Sequence, residues 1–313
     1  MSTYVTLDGG TTNTRVSLVV GGNILQTVKI PMGARACIDN AAVLRGEIRA
    51  AIDTLLSAHA LKESDVERIL ASGMITCEFG LCHLPHVTAP AGLRELHESM
   101  HEVLLPDISA IPFVFIRGVK SVGAGLRDTD MMRGEEAELM GILQDGSEKT
   151  LYVLPGSHSK LIETDADGRI LRFSTMLTGE MIASLSQGTI LKDAVDLSIE
   201  EFDKDFLTEG CLYATERGLN EALFKTRVLK NLFSATREEV YSFFLGAVLA
   251  AEIACIRASD CARVVIGGRS QIKRATAALL QVFAPEKEVL TVSDGEVDAS
   301  STRGVIRVYE YTE

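Results

Sequence analysis

The stretch DGGTTNTR, Asp8 to Arg15, near the start of the chain decides the fold. An apolar strand pattern, Tyr4 to Asp8, precedes it and a second one, Thr14 to Val20, follows it, which predicts a tight turn between antiparallel strands. Because a strand and not a helix follows the glycines, a dinucleotide-binding βαβ unit is excluded, and the chain contains no GxxxxGK[ST] string that would indicate a P-loop.

The chemistry of this turn is that of a phosphate cradle. Glycines allow backbone amides to approach a phosphate closely, and threonine hydroxyls add donors. Asp8 can hold the Mg²⁺ that accompanies a nucleotide phosphate. The alternative is an ordinary β-turn with an aspartate at its first position. We predict that nucleotide phosphate is bound by Gly9, Gly10, Thr11, Thr12 and Asn13.

The opening pattern returns in the middle of the chain. A strand at 150–154 leads into a turn at Pro155–Lys160 and two further strands, so each half begins with a three-stranded meander. Strands that alternate with helical segments indicate an α/β fold. We therefore predict two lobes of related build, 1–146 and 147–313, with the boundary in the loop around Gly146.

The second turn, PGSHSK, offers the same kind of cradle with different side chains. Gly156 and Ser157 supply amides and a hydroxyl, His158 a donor, and Lys160 a positive charge. Phosphoryl transfer depends mostly on holding the phosphates in position, so two such turns in one chain favour a kinase. A histidine at a hairpin tip is alternatively a solvated turn residue.

A third glycine pair, Gly267 and Gly268 in VVIGGRS, lies between a buried strand and a helix. A backbone without side chains can pass close to a flat ligand such as adenine, so we predict that this pair contacts the nucleotide. A simple strand-to-helix turn has the same sequence appearance.

The string DMMRGEEAELMG, Asp130 to Gly141, supplies the candidate general base. A kinase must take a proton from the acceptor hydroxyl, and a carboxylate held by a nearby arginine is the usual group. We rank Asp130 first and Glu135 second, with Arg133 beside them. Alternatively Asp130 is a helix cap, and the glutamates favour the positive end of the helix dipole.

Composition narrows the class of partner. The 313 residues are 46% hydrophobic and carry a net charge of -12, which excludes the basic surface of a nucleic-acid binder and favours a small-molecule substrate. Six cysteines without a CxxC pair, and an N-terminus without an export pattern, predict the cytoplasm. We interpret the apolar stretch Tyr241–Ile256, which contains Glu252, as a buried helix too short to cross a membrane. The sequence is compatible with a homodimer.

One cluster has soft-ligand character: Cys77, Cys82, His83 and His86. Its spacing matches no structural zinc pattern, so no metal is assigned to it.

Taken together, the strings DGGTTNTR, SGM at Ser72–Met74, MRGEEAELMG, LYVLPGSHSK, TMLTGEM and ERGLN resemble the 2-dehydro-3-deoxygalactonokinases of the actin/hexokinase superfamily. The resemblance implies a two-lobed, ribonuclease H-like fold. It also implies ATP-dependent, Mg²⁺-assisted phosphorylation of the 6-hydroxyl of a 2-keto-3-deoxy sugar acid in D-galactonate breakdown. An ATP-hydrolysing conformational switch of the same superfamily is the alternative, and a non-catalytic sugar sensor ranks third.

The chain departs from this family in the segment Ile75–Pro90, where members carry an aromatic residue, often as Gly-Trp, and this chain has no tryptophan. The segment lines the expected sugar pocket with Gly73 and Met74. A sugar acid also needs a cation for its carboxylate, and the bidentate fork of arginine suits it. Arg133 and Arg35 are the candidates, against the alternative that either is a surface or structural arginine.

Overall fold

A computed structural model of the protein describes residues 2–144, 148–268 and 271–312. The chain divides into two compact units: unit 1 comprises Met1–Ser147, Asp167–Arg172 and Gly295–Glu313, and unit 2 comprises Glu148–Ala166 and Phe173–Asp294. This differs from the single division predicted around Gly146, a residue that lies outside the described ranges. The C-terminal helix groups with unit 1 because it packs there.

The strands of the described chain are β1 (Thr3–Gly9), β2 (Thr14–Val20), β3 (Asn23–Ile30), β4 (Arg68–Gly73), β5 (Val87–Thr88), β6 (His101–Val103), β7 (Phe113–Phe115), β8 (Val119–Ser121), β9 (Asp130–Met132), β10 (Thr150–Leu154), β11 (Ser159–Thr164), β12 (Ile170–Met176), β13 (Arg263–Ile266) and β14 (Glu288–Thr291). The α-helices are α1 (Cys37–Ala58), α2 (Leu93–Glu98), α3 (Glu135–Ile142), α4 (Thr178–Gly188), α5 (Lys204–Arg217), α6 (Leu219–Leu232), α7 (Arg237–Ala258), α8 (Gln271–Phe283) and α9 (Asp294–Tyr309). The predicted α/β alternation and both meanders are present.

Unit 1 is built on a six-stranded sheet of order β3-β2-β1-β4-β7-β6. β1 and β2 are antiparallel, with Asp8 opposite Arg15, and the Gly21-Gly22 turn at positive φ (57° and 79°) returns the chain into β3. β1, β4 and β7 run parallel. Their carboxyl ends therefore meet at one edge of the sheet, which is where ligands bind in open α/β sheets.

The two faces of this sheet are covered by different helices. α1 contributes Leu44, Ile48 and Ile52 to the apolar core on one face. α9 is linked to β1 by a hydrogen bond between the Thr6 and Thr302 hydroxyls, whose oxygens are 3.1 Å apart. The same helix crosses α3 at glycines. A Cβ at Gly304 would lie 1.8 Å from the Ala137 carbonyl oxygen, so this helix crossing requires glycine.

A smaller sheet of order β5-β8-β9 completes unit 1. β8 and β9 are antiparallel, with Ser121 opposite Asp130, and β9 leads directly into the N-terminus of α3. The string MRGEE thus connects this small sheet to the helix that packs on the large one.

Unit 2 holds the sheet of order β12-β11-β10-β13-β14. Its core is dominated by α7, which packs so closely on α5 that a Cβ at Gly246 would lie 1.9 Å from the Leu207 carbonyl oxygen. α7 has 22 residues, so it is long and apolar enough to cross a membrane, contrary to the length argument made from the sequence. However, 78% of its apolar window is buried inside the protein, as in a core helix.

Candidate active site

The first turn connects β1 to β2 at the carboxyl edge of the unit 1 sheet. It is closed by the Gly10 amide, which donates to the Asn13 carbonyl at 2.8 Å, and its tip, Thr11, Thr12 and Asn13, is exposed. Backbone amides just after β3 then donate to the Gly10 and Thr11 carbonyls at 3.0 and 3.1 Å. The turn therefore presents hydroxyls to solvent from a backbone that is fixed on its inner side.

Glycines bring three backbone segments together beneath this turn. A Cβ at Gly73, which has φ of 90°, would lie 2.4 Å from the Gly9 carbonyl oxygen, and one at Gly134, with φ of 114°, would lie 3.3 Å from the Gly73 Cα. Side chains rarely adopt such positive φ values, and here there is no space for them. The ends of β1, β4 and β9 therefore converge where the sequence predicted phosphate and substrate contacts.

Asp8 lies at this convergence with 26% of its side chain exposed. Burial raises the pKa of its carboxyl, and the neighbouring Glu135 carboxylate raises it further. Two contacts oppose this: the Arg15 guanidinium, whose Nη1 lies 3.2 Å from Oδ2, and a hydrogen bond from Ser301, both of which lower the pKa. The charge of a second acid, Glu135, therefore acts on the partly buried carboxyl of Asp8, and a cation bound there would offset that repulsion.

Glu135 and Glu136 begin α3, and their carboxylates face the backbone that precedes the helix. Glu135 Oε2 accepts from the Arg133 amide at 3.0 Å, and both carboxylate oxygens of Glu136 accept from the Gly134 amide at 2.8 and 2.9 Å. Glu136 is fully buried, and burial together with the charge of Glu135 raises its pKa to about 8. Glu135 is only half-buried, so it is the acid of this pair that a substrate can reach.

Asp130, ranked first as base from the sequence, lies in β9 and not at the start of α3, where Glu135 lies. It begins β9, and its Oδ1 accepts its neighbour's amide, that of Met131, at 2.7 Å. It pairs with Ser121 and adjoins the exposed stretch 122–129. Asp130 precedes Gly134, the residue whose backbone packs on Gly73, by four residues, and an extended strand rises about 3.3 Å per residue.

Arg133 is held by the protein. Its Nη1 donates to the Thr76 carbonyl at 2.9 Å and to the Thr76 hydroxyl at 2.5 Å, and its Nη2 donates to the Leu84 carbonyl at 3.1 Å and contacts His86 Nδ1 at 3.4 Å. Four of its five N–H groups thus fix the segment that follows Gly73 and Met74. This arrangement favours the structural alternative for Arg133, with a role in shaping the expected sugar pocket.

Arg35, the other predicted carboxylate ligand, has an exposed side chain next to the first turn. Its amide donates to the Thr11 carbonyl at 3.1 Å, so its backbone position is fixed relative to that turn. Its guanidinium is accessible to solvent and to any anion that the turn binds.

The second turn connects β10 to β11 in unit 2 and is held through its carbonyls. The amides of Gly179 and Glu180, at the start of α4, donate to the Gly156 and Ser157 carbonyls, each at 3.2 Å. His158 Nε2 lies 3.0 Å from Glu180 Oε1, and both side chains are largely exposed. The turn and the string TMLTGEM therefore form one hydrogen-bonded structure.

Lys160 is buried to 3% exposure, with Nζ 3.5 Å from the His158 carbonyl oxygen. Its positive charge thus lies beneath the tip of the second turn, where it would attract a bound phosphate electrostatically.

Beneath the second turn lies a carboxylate that the sequence reasoning did not assign to the site. Glu252 of α7 is 1% exposed, and it accepts a hydrogen bond from the Thr178 hydroxyl and a second one from Ser159. The Thr178 hydroxyl donates to Oε1, Oε2 has no hydrogen-bond partner within the described chain, and burial raises the pKa of the carboxyl. The sequence contains one signal for this residue, because Glu252 is a single acid inside an otherwise apolar helix. A buried acid must have polar partners.

The glycine pair after β13 lies against the second turn. Gly267 donates to the Val153 carbonyl at 2.8 Å, and a Cβ at Gly268, with φ of 68°, would lie 2.6 Å from the Pro155 carbonyl oxygen. Arg269 and Ser270, the end of the predicted string, lie outside the described residues.

Unit 2 contains a cavity of about 550 Å³ between α4, α7 and α8, lined by apolar and polar groups, among them Gly179, Ile182, Tyr241, Gln271, Ile272 and Arg274. A mainly apolar pocket with a few polar groups is the usual form of a small-molecule site.

The residues of unit 1 fit Mg²⁺, which the kinase prediction implies. Hard oxygen donors suit this ion, and Asp8 provides a partly buried carboxylate at the end of β1, directly before the first turn. Ser72, paired with Asp8 across β1 and β4, has a buried Oγ with no hydrogen-bond partner among the described residues.

The Cys77, Cys82, His83 and His86 cluster does not assemble as a metal site in the described residues. Burial first, then the charges of Arg133, Lys120 and His83, lowers the pKa of His86 to about 4. The cluster of potential metal ligands in the described chain is instead Glu163, Asp260 and Cys261. Lys149 Nζ already neutralises its two carboxylates at 3.0 and 2.5 Å.

Comparison with known proteins identifies the family of the chain. The sequence profile of the 2-keto-3-deoxy-galactonokinase family matches residues 8–307. The 2-dehydro-3-deoxygalactonokinase of Escherichia coli (strain K12) is 27% identical over 259 residues, which cover 81% of this chain and 80% of that protein.

Two solved structures show the same fold. A protein from Sinorhizobium meliloti assigned as 2-dehydro-3-deoxygalactonokinase superposes with a TM-score of 0.79 at 22% identity, over 99% of this chain and 98% of its own. Component A of (R)-2-hydroxyglutaryl-CoA dehydratase from Acidaminococcus fermentans gives 0.50 at 14% identity, over 99% and 96%. The predicted actin/hexokinase-like fold is confirmed. The family match extends from the first turn to α9, and the chain therefore belongs to the 2-keto-3-deoxy-galactonokinase family of carbohydrate kinases.

Proposed function

We propose that the protein transfers the terminal phosphoryl group of ATP to the 6-hydroxyl of a 2-dehydro-3-deoxy sugar acid. The relatives' names favour 2-dehydro-3-deoxy-D-galactonate, and hence a cytoplasmic role in D-galactonate catabolism. The observation that carries the proposal is the close backbone approach of the segments at Gly9, Gly73 and Gly134. Asp8 directly precedes the first of these glycines and Glu135 directly follows the last, so both carboxyl groups start from this convergence. A kinase needs one acid for its metal ion and one for its acceptor hydroxyl.

Asp8 is the proposed metal-binding acid. It ends β1 directly before the first turn, and Arg15 and Ser301 orient its carboxyl. Mg²⁺ bound there would neutralise charge on the phosphate oxygens. The exposed hydroxyls of Thr11 and Thr12 then bind phosphate as donors.

Glu135 is the proposed general base, ahead of Asp130. Its carboxylate is within electrostatic range of Asp8 and is fixed by the Arg133 amide at 3.0 Å. Positioning of this kind is the first requirement for proton transfer, before the pKa of the group. The half-buried position also limits competition from water.

Unit 2 supplies the proposed nucleotide contacts. The second turn offers the Ser157 and His158 side chains above the buried Lys160. The cavity of about 550 Å³ that Gly179, Tyr241 and Gln271 help to line has the size and the mainly apolar lining that an adenosine moiety requires.

The test is a coupled ADP assay with ATP, Mg²⁺ and a panel of 2-keto-3-deoxy sugar acids. Acceptor-dependent ADP release with one acid strongly preferred is the expected result. ADP release at the same slow rate with and without every acid would instead indicate the ATP-hydrolysing switch, and the kinase proposal would be abandoned.

A further inference from the structure

A partly buried arginine at the carboxyl edge of the unit 1 sheet is not accounted for by any role described above. Arg117 follows β7, and the preceding residue, Ile116, is fixed by its amide, which donates to the Ala71 carbonyl of β4 at 2.8 Å. Its Nε is buried and has no hydrogen-bond partner within the described chain. An unpaired guanidinium in such a position costs free energy unless an anion joins it.

Arg117 adjoins the segment that lines the expected sugar pocket. Burial raises the pKa of the Cys82 thiol in that segment, and the positive charge of Arg117 opposes this rise. The adjoining Gly118 packs on His86 of the same segment, since a Cβ there would lie 2.8 Å from His86 Cδ2. Burial and the charges of Arg133 and Lys120 lower the pKa of that imidazole to about 4, so it adds no positive charge near neutral pH.

Three arginines of unit 1 differ in what they can offer a ligand. Arg133 gives four N–H groups to protein acceptors, and Arg35 is exposed, so water already solvates its charge. Arg117 is half-buried, and its buried Nε has no hydrogen-bond partner among the described residues. A carboxylate would gain most at Arg117, because charge-assisted hydrogen bonds strengthen where water is excluded.

We propose that Arg117 binds the carboxylate of the sugar-acid substrate and thereby sets the preference for an acid over a neutral sugar. The inference rests on the proposed function. β7 lies two strands from β1, about 10 Å across the sheet. An extended sugar acid together with the two side chains covers this span, with its far hydroxyl toward Asp8 and Glu135.

The experiment compares Arg117→Gln and Arg117→Lys with Arg127→Gln, which removes an exposed arginine from the β8–β9 connection. We expect Arg117→Gln to raise the KM for the preferred acid about 10- to 100-fold while the KM for ATP stays within about twofold. Lysine restores the charge but not the bidentate fork, so Arg117→Lys should recover part of the loss. Arg127→Gln should behave as wild type.

A carboxamide analogue of the acid separates recognition from general damage. The wild type should bind it far more weakly than the acid, and Arg117→Gln should bind the two nearly equally. Equal losses for acid and carboxamide in Arg117→Gln, or an unchanged KM for the acid, would overturn the proposal. Arg117→Gln should melt at or above the wild-type temperature, because the buried Nε that it removes has no hydrogen-bond partner among the described residues. If it does not fold, Arg117→Lys carries the comparison.

Calorimetric titration of the acids, without ATP, keeps this inference distinct from the kinase proposal. Failure to form ADP with any acid would defeat the kinase proposal. Equal binding of the acid to wild type and Arg117→Gln would defeat only the role of Arg117.

Discussion

The first turn in unit 1 and the second turn in unit 2 occupy the same place in their sheets, between the first two strands of a meander, but they are held by different means. The first is closed by its own backbone and fixed by glycines at the strand ends, with Asp8 at its base. The second is fixed through its carbonyls by the amides of α4 and from below by Glu252 of α7.

The difference indicates a division of roles. Two acids lie beneath the first turn, and burial together with the charge of Glu135 raises the pKa of Asp8. Beneath the second turn lies the cation of Lys160, and the acid there is fully buried and accepts hydrogen bonds from hydroxyl groups of the protein. This difference supports the proposal that the first turn takes part in the chemistry and the second binds the nucleotide.

The largest expected effect comes from removing Asp8, the proposed metal ligand. Asp8→Asn should lower kcat/KM on the order of 10³-fold, since a metal ion contributes several kcal/mol of charge stabilisation. The coupled ADP assay measures the loss, circular dichroism checks the fold, and Asp53→Asn on the exposed face of α1 is the matched control. Turnover within tenfold of wild type would remove Asp8 from the site.

The next effect separates the two candidate bases. Glu135→Gln should lower kcat about 10²-fold with little change in either KM, because the neutral amide cannot take the acceptor proton. Asp130→Asn should keep kcat within a few fold. If the aspartate variant is instead the impaired one, the base lies in β9 and the order given by the sequence is restored.

The ranking of Asp130 and Glu135 shows which features of the candidate site could be predicted from the sequence. The turn at Asp8, the strand repeat and the MRGEE string follow from local patterns, and local chemistry predicts them well. Which of Asp130 and Glu135 approaches Asp8 depends on β9 belonging to a separate small sheet, a pairing between residues distant in sequence that periodicity does not report.

Arg133 and Arg117 also show that contacts between residues distant in sequence could not be predicted from local patterns. In the sequence Arg133 looks like a ligand because it adjoins the acids, yet its partners lie in the segment that contains Thr76 and Leu84, more than forty positions earlier. Arg117 has no motif around it. Its interest arises only from partial burial without a partner, which is a property of the fold.

A third effect tests the support of the second turn. Glu252→Ala should raise the KM for ATP about tenfold and leave the KM for the sugar acid unchanged, because Thr178 and Ser159 lose their acceptor. Glu252→Gln keeps one acceptor oxygen and should recover most of the affinity. Ser242→Ala, a buried hydroxyl on the same helix, should cost stability without changing the KM for ATP.

If Ser242→Ala raised the KM for ATP as much as Glu252→Ala, the effect of Glu252 would be general destabilisation and not support of the turn. A double variant with Thr178→Val should then also be additive, whereas a shared hydrogen bond predicts a non-additive result.

A fourth effect concerns the buried carboxyl of unit 1 and changes stability more than turnover. The pKa of Glu136 in the folded protein is about 8, against an ordinary value of 4.5, so folding favours the protonated form. Its contribution is complete below about pH 4.5 and is lost as the pH rises to about 8. Glu136→Gln should therefore gain on wild type in urea unfolding as the pH rises through this window, and a constant difference would show that Glu136 does not titrate there.

The smallest expected effect lies at the tip of the second turn. The His158 and Glu180 side chains are 43% and 57% exposed, and such pairs contribute about 0 to 1 kcal/mol. His158→Gln should therefore change the KM for ATP by no more than about fivefold, with Glu180→Gln as the control that breaks the same pair. A loss of 100-fold or more in His158→Gln alone would show that the imidazole contacts phosphate directly. The second turn would then share in the chemistry, and the division of roles between the two turns would be wrong.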